Sequence, residues 1–222
     1  AVRKKFKAGS IKKVNGVGID LNKFKPQTPE KKKELRKQYG YDENDFILIY
    51  VAEMSYRKHQ DLLINVVNVL KNKISDIKLL LVGEGSLMEQ YKNQVQKLHL
   101  EEYIHFLGYR KDVPDLMTIA DVAVSSSRQE GLPVNVMEAM AAGLPLVVTD
   151  CRGNRDLVQD GENGFVVGID DAEGMAERME YIYNNGEMKE KARKYNLNSI
   201  RNYSLDTIEK QIACIYNEML KN

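Results

Sequence analysis

The sequence predicts an α/β protein built on a doubly wound parallel sheet, and three observations predict it. Apolar runs of strand length alternate with segments of helical spacing at least five times. The strand-length runs are continuously apolar, the mark of parallel strands covered on both faces. Strand, turn and helix follow one another with almost no spacer, most plainly in residues 130–150, EGLPVNVMEAMAAGLPLVVTD. Right-handed crossovers then place helices on both faces of the sheet, and ligands bind in such sheets beyond the carboxyl ends of the strands.

Taken in order, PEKKKELRKQYG (29–40) reads as a solvated, partly helical segment. FILIYVA (46–52) is a strand; DLLINVVNVLKNK (61–73), apolar at 62, 63, 66, 67 and 70, is a helix. IKLLLVG (77–83) is a strand, and SLMEQYKNQVQKLHL (86–100) a helix with Ser86 expected as its N-cap. A short strand IHFLG (104–108), a helix DVPDLMTIA (112–120) with Pro114 in its first turn, and a strand DVAVSSS (121–127) follow. NVMEAMAAG (135–143) is a helix stopped by Gly143, PLVVTD (145–150) a strand, GNRDLVQDG a helical turn, GFVVG (164–168) a last strand, and 171–222 mostly helix.

At 222 residues, 43% hydrophobic and 29% charged, the chain can bury a sizeable core as one large or two small domains. No apolar run approaches the roughly 20 residues of a bilayer span, and AVRKKFKAGS has no apolar region of a signal peptide behind its basic residues. Cys151 and Cys214 form neither a disulfide framework nor a metal pair, and His59, His99 and His105 lack ligand spacing; a reducing, cytoplasmic setting is the simplest expectation. The net charge of +1 hides an asymmetry. Residues 1–40 hold 13 Lys/Arg against 3 Asp/Glu, a local +10, which leaves −9 for the remainder. Such a tract can mark nucleic acid or an anionic membrane surface, or be a solvated, partly helical segment. A chain beginning at Ala1 and running directly into this tract also looks cut from something longer.

The loop SSSRQEGLPVN leads from a strand end into a helix start. Free N–H groups and the helix dipole make that corner an anion site suited to a diphosphate. Glu130 lies on the loop before it and Glu138 about one turn inside the helix. Carboxylates accept paired hydrogen bonds from vicinal hydroxyls, so a sugar and a ribose are natural ligands for two acids flanking a diphosphate. Alone, two glutamates eight positions apart equally describe a loop acid and a solvated helix acid. His105 reads as a packed side chain, and Cys151 has no base in motif spacing.

The longer run weighs the choice. VNGVGIDLNKF (14–24), LLLVGEG (79–85), IHFLGYRKDVPDLM (104–117), ADVAVSSSRQEGLPVNVMEAMAAGLPLVVTDCRGNRDLV (120–158) and DGENGFVV (160–167) together resemble retaining GT-B glycosyltransferases of family 4, glycosyl transferase group 1. The resemblance spans about residues 14–185 and is strongest with the branch building bacterial capsule and exopolysaccharide. It implies the Rossmann-like C-terminal half of a GT-B fold. Residues 1–24 would be a linker from another domain, 25–200 the nucleotide-sugar-binding domain, and 201–222 a helix crossing back to an N-terminal domain. By the same resemblance, Glu130 would contact the donor sugar, with Gly131, Leu132, Asn135 and Val136 against sugar and diphosphate. Glu138 would hold the ribose; Gly108, Tyr109 and Arg110 would frame the base, and Gly83 would pass close to the nucleotide. A tight turn explains Gly83-x-Gly85 equally well.

The family commonly carries a Gly-Arg pair after the first strand and a Lys-Gly pair shortly after, whose cations grip the diphosphate. Here the first pair is Ala52-Glu53 and the second region reads YRKHQ: Lys58 aligns with the lysine, and Arg57 is the candidate for the missing charge. No Asp-x-Asp occurs, which argues against the metal-dependent GT-A kind; no cofactor or metal is expected, and Lys and Arg would neutralise the leaving diphosphate. The implied activity is transfer of a hexose from a UDP-sugar, or less readily a GDP-sugar, to a saccharide or glycolipid. An N-terminal domain would hold that acceptor, so this chain alone would turn nothing over. No nucleic acid is implied; peripheral association with the inner membrane face is compatible with the basic tract. Two rivals stay open: a non-catalytic flavodoxin-like or receiver module, and a GT-B relative with other chemistry, such as an epimerase or phosphorylase.

Overall fold

The computed structural model describes residues 11, 12 and 14–220. Six strands form one sheet: β1 (Phe46–Val51), β2 (Ile77–Val82), β3 (Ile104–Gly108), β4 (Val122–Ser125), β5 (Leu146–Thr149) and β6 (Gly164–Val167). All neighbours are parallel, in the order β3-β2-β1-β4-β5-β6. The helices are α1 (Pro29–Tyr39), α2 (Gln60–Leu70), α3 (Met88–Lys97), α4 (Val113–Ile119), α5 (Val134–Ala142), α6 (Arg152–Arg155), α7 (Ala172–Asn184), α8 (Gly186–Ser199) and α9 (Leu205–Leu220). A 3₁₀ turn at Ile200–Tyr203 joins the last two.

Continuous apolar strands are what two buried faces demand, and the side chains divide by parity. Phe46, Leu48 and Tyr50 enter one core with Leu79, Leu81, Val124 and Val147 beneath α2, α3, α7 and α8. Ile47 and Ile49 enter the other with Leu80, Val82 and Val148 beneath α1, α4 and α5. Helix α5 can lie close to the sheet because Ala139, Ala141 and Ala142 give it a small-residue face. Gly143 ends it at φ 80°.

Ser86 does not cap α3. The helix begins at Met88 with Leu87 at the cap position, and the Leu87 N–H instead donates to the Met54 carbonyl at 3.1 Å. A tertiary bond between the loops after β1 and β2 has displaced the local cap. The expected solvation of 29–40 also fails in part. Thr28 caps α1 and Gly40 ends it, but Arg36 is only 4% exposed. Its guanidinium donates to the Ile119 carbonyl (3.0 and 2.9 Å), the Glu43 carbonyl (2.7 Å) and Asp121 Oδ2 (2.7 Å). Lys32 meets the other Asp121 oxygen at 2.7 Å; burial pulls its ammonium below the usual lysine range, against the pull of that carboxylate. Asp121 Oδ2 further accepts the Ile47 N–H (2.7 Å), so one carboxylate ties α1, β1 and β4 together at the amino edge of the sheet. The basic residues at positions 3–7 lie outside the described residues.

The segment leading into the domain is itself anchored. Ile19 and Phe24 are buried in the second core, and Ile19 pairs with residues 203–205 through bonds of 2.8 and 3.0 Å. Along α9 only Ile208 is buried; Leu205, Ile212, Tyr216 and Met219 are exposed. Among the described residues no helix is long and apolar enough to cross a membrane.

Removing the Asp121 carboxylate strands the Arg36 guanidinium inside the protein. Asp121→Ala is expected to cost about 3 kcal/mol of folding free energy, within the range for breaking a buried pair. Urea denaturation measures it; a loss under about 1 kcal/mol would mean that the carbonyl partners of Arg36 suffice.

Candidate functional site

Strand order reverses between β1 and β4, with β2 and β3 on one side and β5 and β6 on the other. Loops leaving neighbouring strands toward opposite sides open a crevice at their carboxyl ends. The loop after β1 (52–59) and the loop after β4 (126–133) border it, and hydrogen bonds join them. Ser126 Oγ donates to the Lys58 carbonyl at 2.7 Å, and the Arg128 N–H donates to the Arg57 carbonyl at 2.9 Å.

The centre of this seam is Glu130, whose side chain is 8% exposed. Lys58 Nζ donates to its Oε1 at 2.5 Å, and Ser127 Oγ to the same oxygen at 2.6 Å. The Arg57 guanidinium lies 3.5 Å from Oε2 and donates to the Gln129 carbonyl at 3.3 Å. Behind Ser127, the hydroxyl of buried Tyr50 is 2.7 Å from Ser127 Oγ, and Thr149 Oγ1 donates to the Ser127 carbonyl at 2.6 Å. A nearly buried carboxylate needs such partners. The structure therefore gathers Arg57, Lys58 and Glu130 into one cluster.

Glu138 faces a neighbouring cleft of about 570 Å³, shared with Lys23, Phe24, Glu53, Gly83, Tyr109 and Arg110. Burial lifts its carboxyl to about 7, and Lys23 opposes that only in part. Arg110 is held by Asp112 through bonds of 2.8 and 2.5 Å, and Tyr39 donates to the same carboxylate at 2.6 Å. The Arg110 guanidinium keeps the Asp112 carboxyl well below the usual range. With Arg110 so occupied and Tyr109 exposed, this loop offers the cleft its backbone and a ring. Glu53 brings a second carboxylate to the cleft where the family resemblance led us to expect arginine.

Gly83 and Gly85 have a packing reason. A β-carbon on Gly83 would collide with the Ala52 carbonyl, and one on Gly85 with the Met54 backbone. Gly108 closes the same corner: its carbonyl accepts the Gly83 N–H at 2.8 Å, at φ 63°. The pair serves close approach of two loops, and Gly83 borders the cleft as a result.

Helix α5 starts at Val134 with Pro133 at the cap position and no side-chain cap. Its first internal bond runs from the Met137 N–H to the Pro133 carbonyl, so the amides of Val134, Asn135 and Val136 have no partner within the helix. Val136 is buried in the core and contributes by its backbone. Gly131 and Leu132 border a smaller cavity of about 290 Å³ with Asn15, Gly16, Arg152 and Tyr203. Gly153 backs directly on this corner, where a β-carbon would strike the Gly131 carbonyl and the Glu130 side chain.

Sequence reasoning did not single out Lys23, Ser127, Tyr50 or Arg128. Ser127 carried a signal in the unusual run Ser125–Ser127 at a strand end; the others are recognised only by what they touch. His105 is packed as expected, its Nδ1 2.9 Å from the Tyr41 hydroxyl, with burial pulling the imidazole below its usual value. Cys151 is buried, and burial pushes its thiol up, away from nucleophilic use.

The family described as glycosyl transferases group 1 matches residues 31–199. The chain belongs to this family. It is similar to a putative glycosyltransferase, EpsD, of Bacillus subtilis, at 36% identity over 209 residues, which cover 94% of this chain and 55% of the relative. A UDP-Gal:alpha-D-GlcNAc-diphosphoundecaprenol alpha-1,3-galactosyltransferase of Escherichia coli is 31% identical over 158 residues, 69% of this chain and 40% of that protein. Among solved structures, HepE of Anabaena in complex with UDP superimposes with a TM-score of 0.83 at 26% identity, covering 90% of this chain and 56% of that one. The chain spans about half the length of the curated relatives it matches. Its sheet is the Rossmann-like layer of the C-terminal half of a GT-B glycosyltransferase.

The Glu138 carboxyl holds its proton to about pH 7 when folded but releases it near 4.5 when unfolded. Folding therefore weakens as pH rises from 4.5 through 7, and the effect is complete above that window. At 1.36 kcal/mol per unit, and allowing for partial exposure, the loss is on the order of 2 kcal/mol. Urea denaturation of wild type and Glu138→Gln at pH 4.5 and 8 should show this decline in wild type only.

Proposed function

We propose that this chain is the donor-binding domain of a retaining, metal-independent glycosyltransferase that moves a hexose from a UDP-sugar to a saccharide or glycolipid during bacterial surface-polysaccharide synthesis. The observation that carries the reading is the meeting of Lys58, Arg57 and Glu130 at the sheet's switch point, beside the α5 amino terminus and the Glu138 cleft. Family membership and a relative solved with UDP and with UDP-glucose favour a uridine nucleotide over a guanosine one.

In this reading the base lies against the 108–110 loop and the ribose hydroxyls donate to Glu138. The diphosphate meets the free α5 amides and Lys58. An ammonium has three donors, so Lys58 can keep Glu130 and still bind a phosphate oxygen. Arg57, half-exposed, would turn from Glu130 toward the phosphates and take the place of the arginine that Glu53 replaces. Glu130, relieved of one cation, would then accept from the sugar hydroxyls. The bond from the anomeric carbon to the diphosphate breaks through an oxocarbenium-like transition state, and the negative charge left on the phosphates is what the amides and cations stabilise. The acceptor hydroxyl attacks from the same face, its proton passing to a phosphate oxygen. The acceptor belongs to an N-terminal domain, which would also cover the exposed face of α9, at the inner face of the membrane where a glycolipid acceptor would lie.

Calorimetric titration tests the donor half of the proposal. UDP should bind this chain, and GDP more weakly. Lys58→Ala and Glu138→Ala should each weaken UDP binding by about tenfold or more, the scale of one hydrogen bond to a charged group. Arg57→Ala should weaken it as well; unchanged affinity there, with loss in Lys58→Ala, would remove Arg57 from the site. No sugar should be transferred by the chain alone.

A further inference from the structure

His59 follows Lys58 directly and sits at φ 54°, ψ 46°, a left-handed conformation that residues with a β-carbon rarely adopt. Its side chain is 6% exposed, and no site role described above uses it. The Arg128 guanidinium lies against it, with NH2 2.7 Å from the imidazole Nε2. A guanidinium only donates, so Nε2 must be the acceptor and the neutral ring must carry its proton on Nδ1. Nδ1 is buried without a hydrogen-bond partner, and the Ser126 backbone favours the charged ring. Arg128 is itself fixed by Asp170 at 2.9 Å and by stacking on Tyr56 at 5.0 Å.

We propose that His59 is a positioning residue for donor binding: as the neutral imidazole it accepts from Arg128, clamps the loop carrying Lys58 to the loop carrying Glu130, and on protonation lets the two part. The function of the clamp rests on the donor-site reading above; its mechanics do not. Besides the contacts of Lys58 and Arg57 with Glu130, the loops are joined by Ser126 to the Lys58 carbonyl, the Arg128 amide to the Arg57 carbonyl, Arg57 to the Gln129 carbonyl, and Arg128 to His59. A protonated ring loses the Arg128–His59 bond and sets a cation against a cation, which weakens the seam.

The charged groups facing the ring are Arg128 from the loop after β4, Asp61 of α2 and Asp170 of the loop after β6, the two carboxylates each at 3.6 Å. The carboxylates favour the charged ring, but both are substantially exposed and screened, and Asp170 already pairs with Arg128. Burial acts more strongly and holds the imidazole below its ordinary 6.5. The clamp is therefore closed above pH 6.5 and weakens as pH falls below it.

Two readouts on wild type, His59→Asn and His59→Gly test this. Asparagine tolerates the left-handed backbone and keeps an acceptor but does not titrate; glycine keeps the backbone alone. Between pH 7.5 and 4.5, the hydrogen-exchange protection of the Arg128 amide should fall by up to about tenfold in wild type and stay level in His59→Asn, as loss of a charge-assisted bond implies. His59→Gly should show the low protection at both values. The affinity for UDP should fall with acid more steeply in wild type than in His59→Asn, the comparison cancelling the titration of Glu138. Equal protection profiles in wild type and His59→Asn, or nitrogen shifts placing the ring proton on Nε2, would overturn the clamp. Altered protection with identical UDP profiles would overturn its positioning role. Absence of UDP binding in every variant, with protection behaving as stated, would leave the clamp standing and bring down the donor reading instead.

Discussion

Glu130 is a carboxylate almost wholly withdrawn from water, and the carboxyl edge of the sheet is arranged around the cost of keeping it there. Burying such a group without partners would cost far more than a folded protein can spare. It is held by an ammonium, a hydroxyl and, more distantly, a guanidinium, drawn from loops that follow two different strands. Both strands must therefore be in register before the acid can be buried. The hydroxyl chain from Tyr50 through Ser127 extends this requirement into the core, and Thr149 brings in β5. Site and fold are coupled at this one atom cluster.

The pairing also bears on the balance of charge around the cleft. At Glu53 a negative charge enters the cleft, which Lys23, Arg110 and Lys111 also line, while Lys58 and Arg57 stand at the seam. Lys23 comes from the segment ahead of α1, which Ile19 and Phe24 fix in the second core. Lys23, in the stretch expected as a linker, thus lines the Glu138 cleft, and the packing of Ile19 and Phe24 fixes where it stands.

Much of the layer was legible because its information is local. Continuous apolar runs such as Phe46–Val51 and helical spacing such as that of Gln60–Leu70 need no knowledge of the remote chain. Tyr109, Arg110, Gly83 and Glu138 were brought together by the family resemblance, and the structure places all four around one cleft at the edge that loops after parallel strands share. What was not legible depends on pairing across distance. Lys58 and Glu130 are 72 residues apart, and Arg36 and Asp121 are 85 apart. Nothing in KKKELRKQ marks one arginine as buried, and Ser86 looked like a cap because the competing Met54 carbonyl lies on another loop. The left-handed backbone at His59 was equally hidden, since a histidine there has no local reason to adopt it.

Asp121 fastens α1, β1 and β4 at the amino rim of the sheet, while Glu130 and Glu138 lie at the opposite rim. The ties at the amino rim therefore do not pass through the cleft side chains. A side chain that only lines the cleft, as Glu53 does, can be exchanged without drawing on the ties that hold α1 to the sheet.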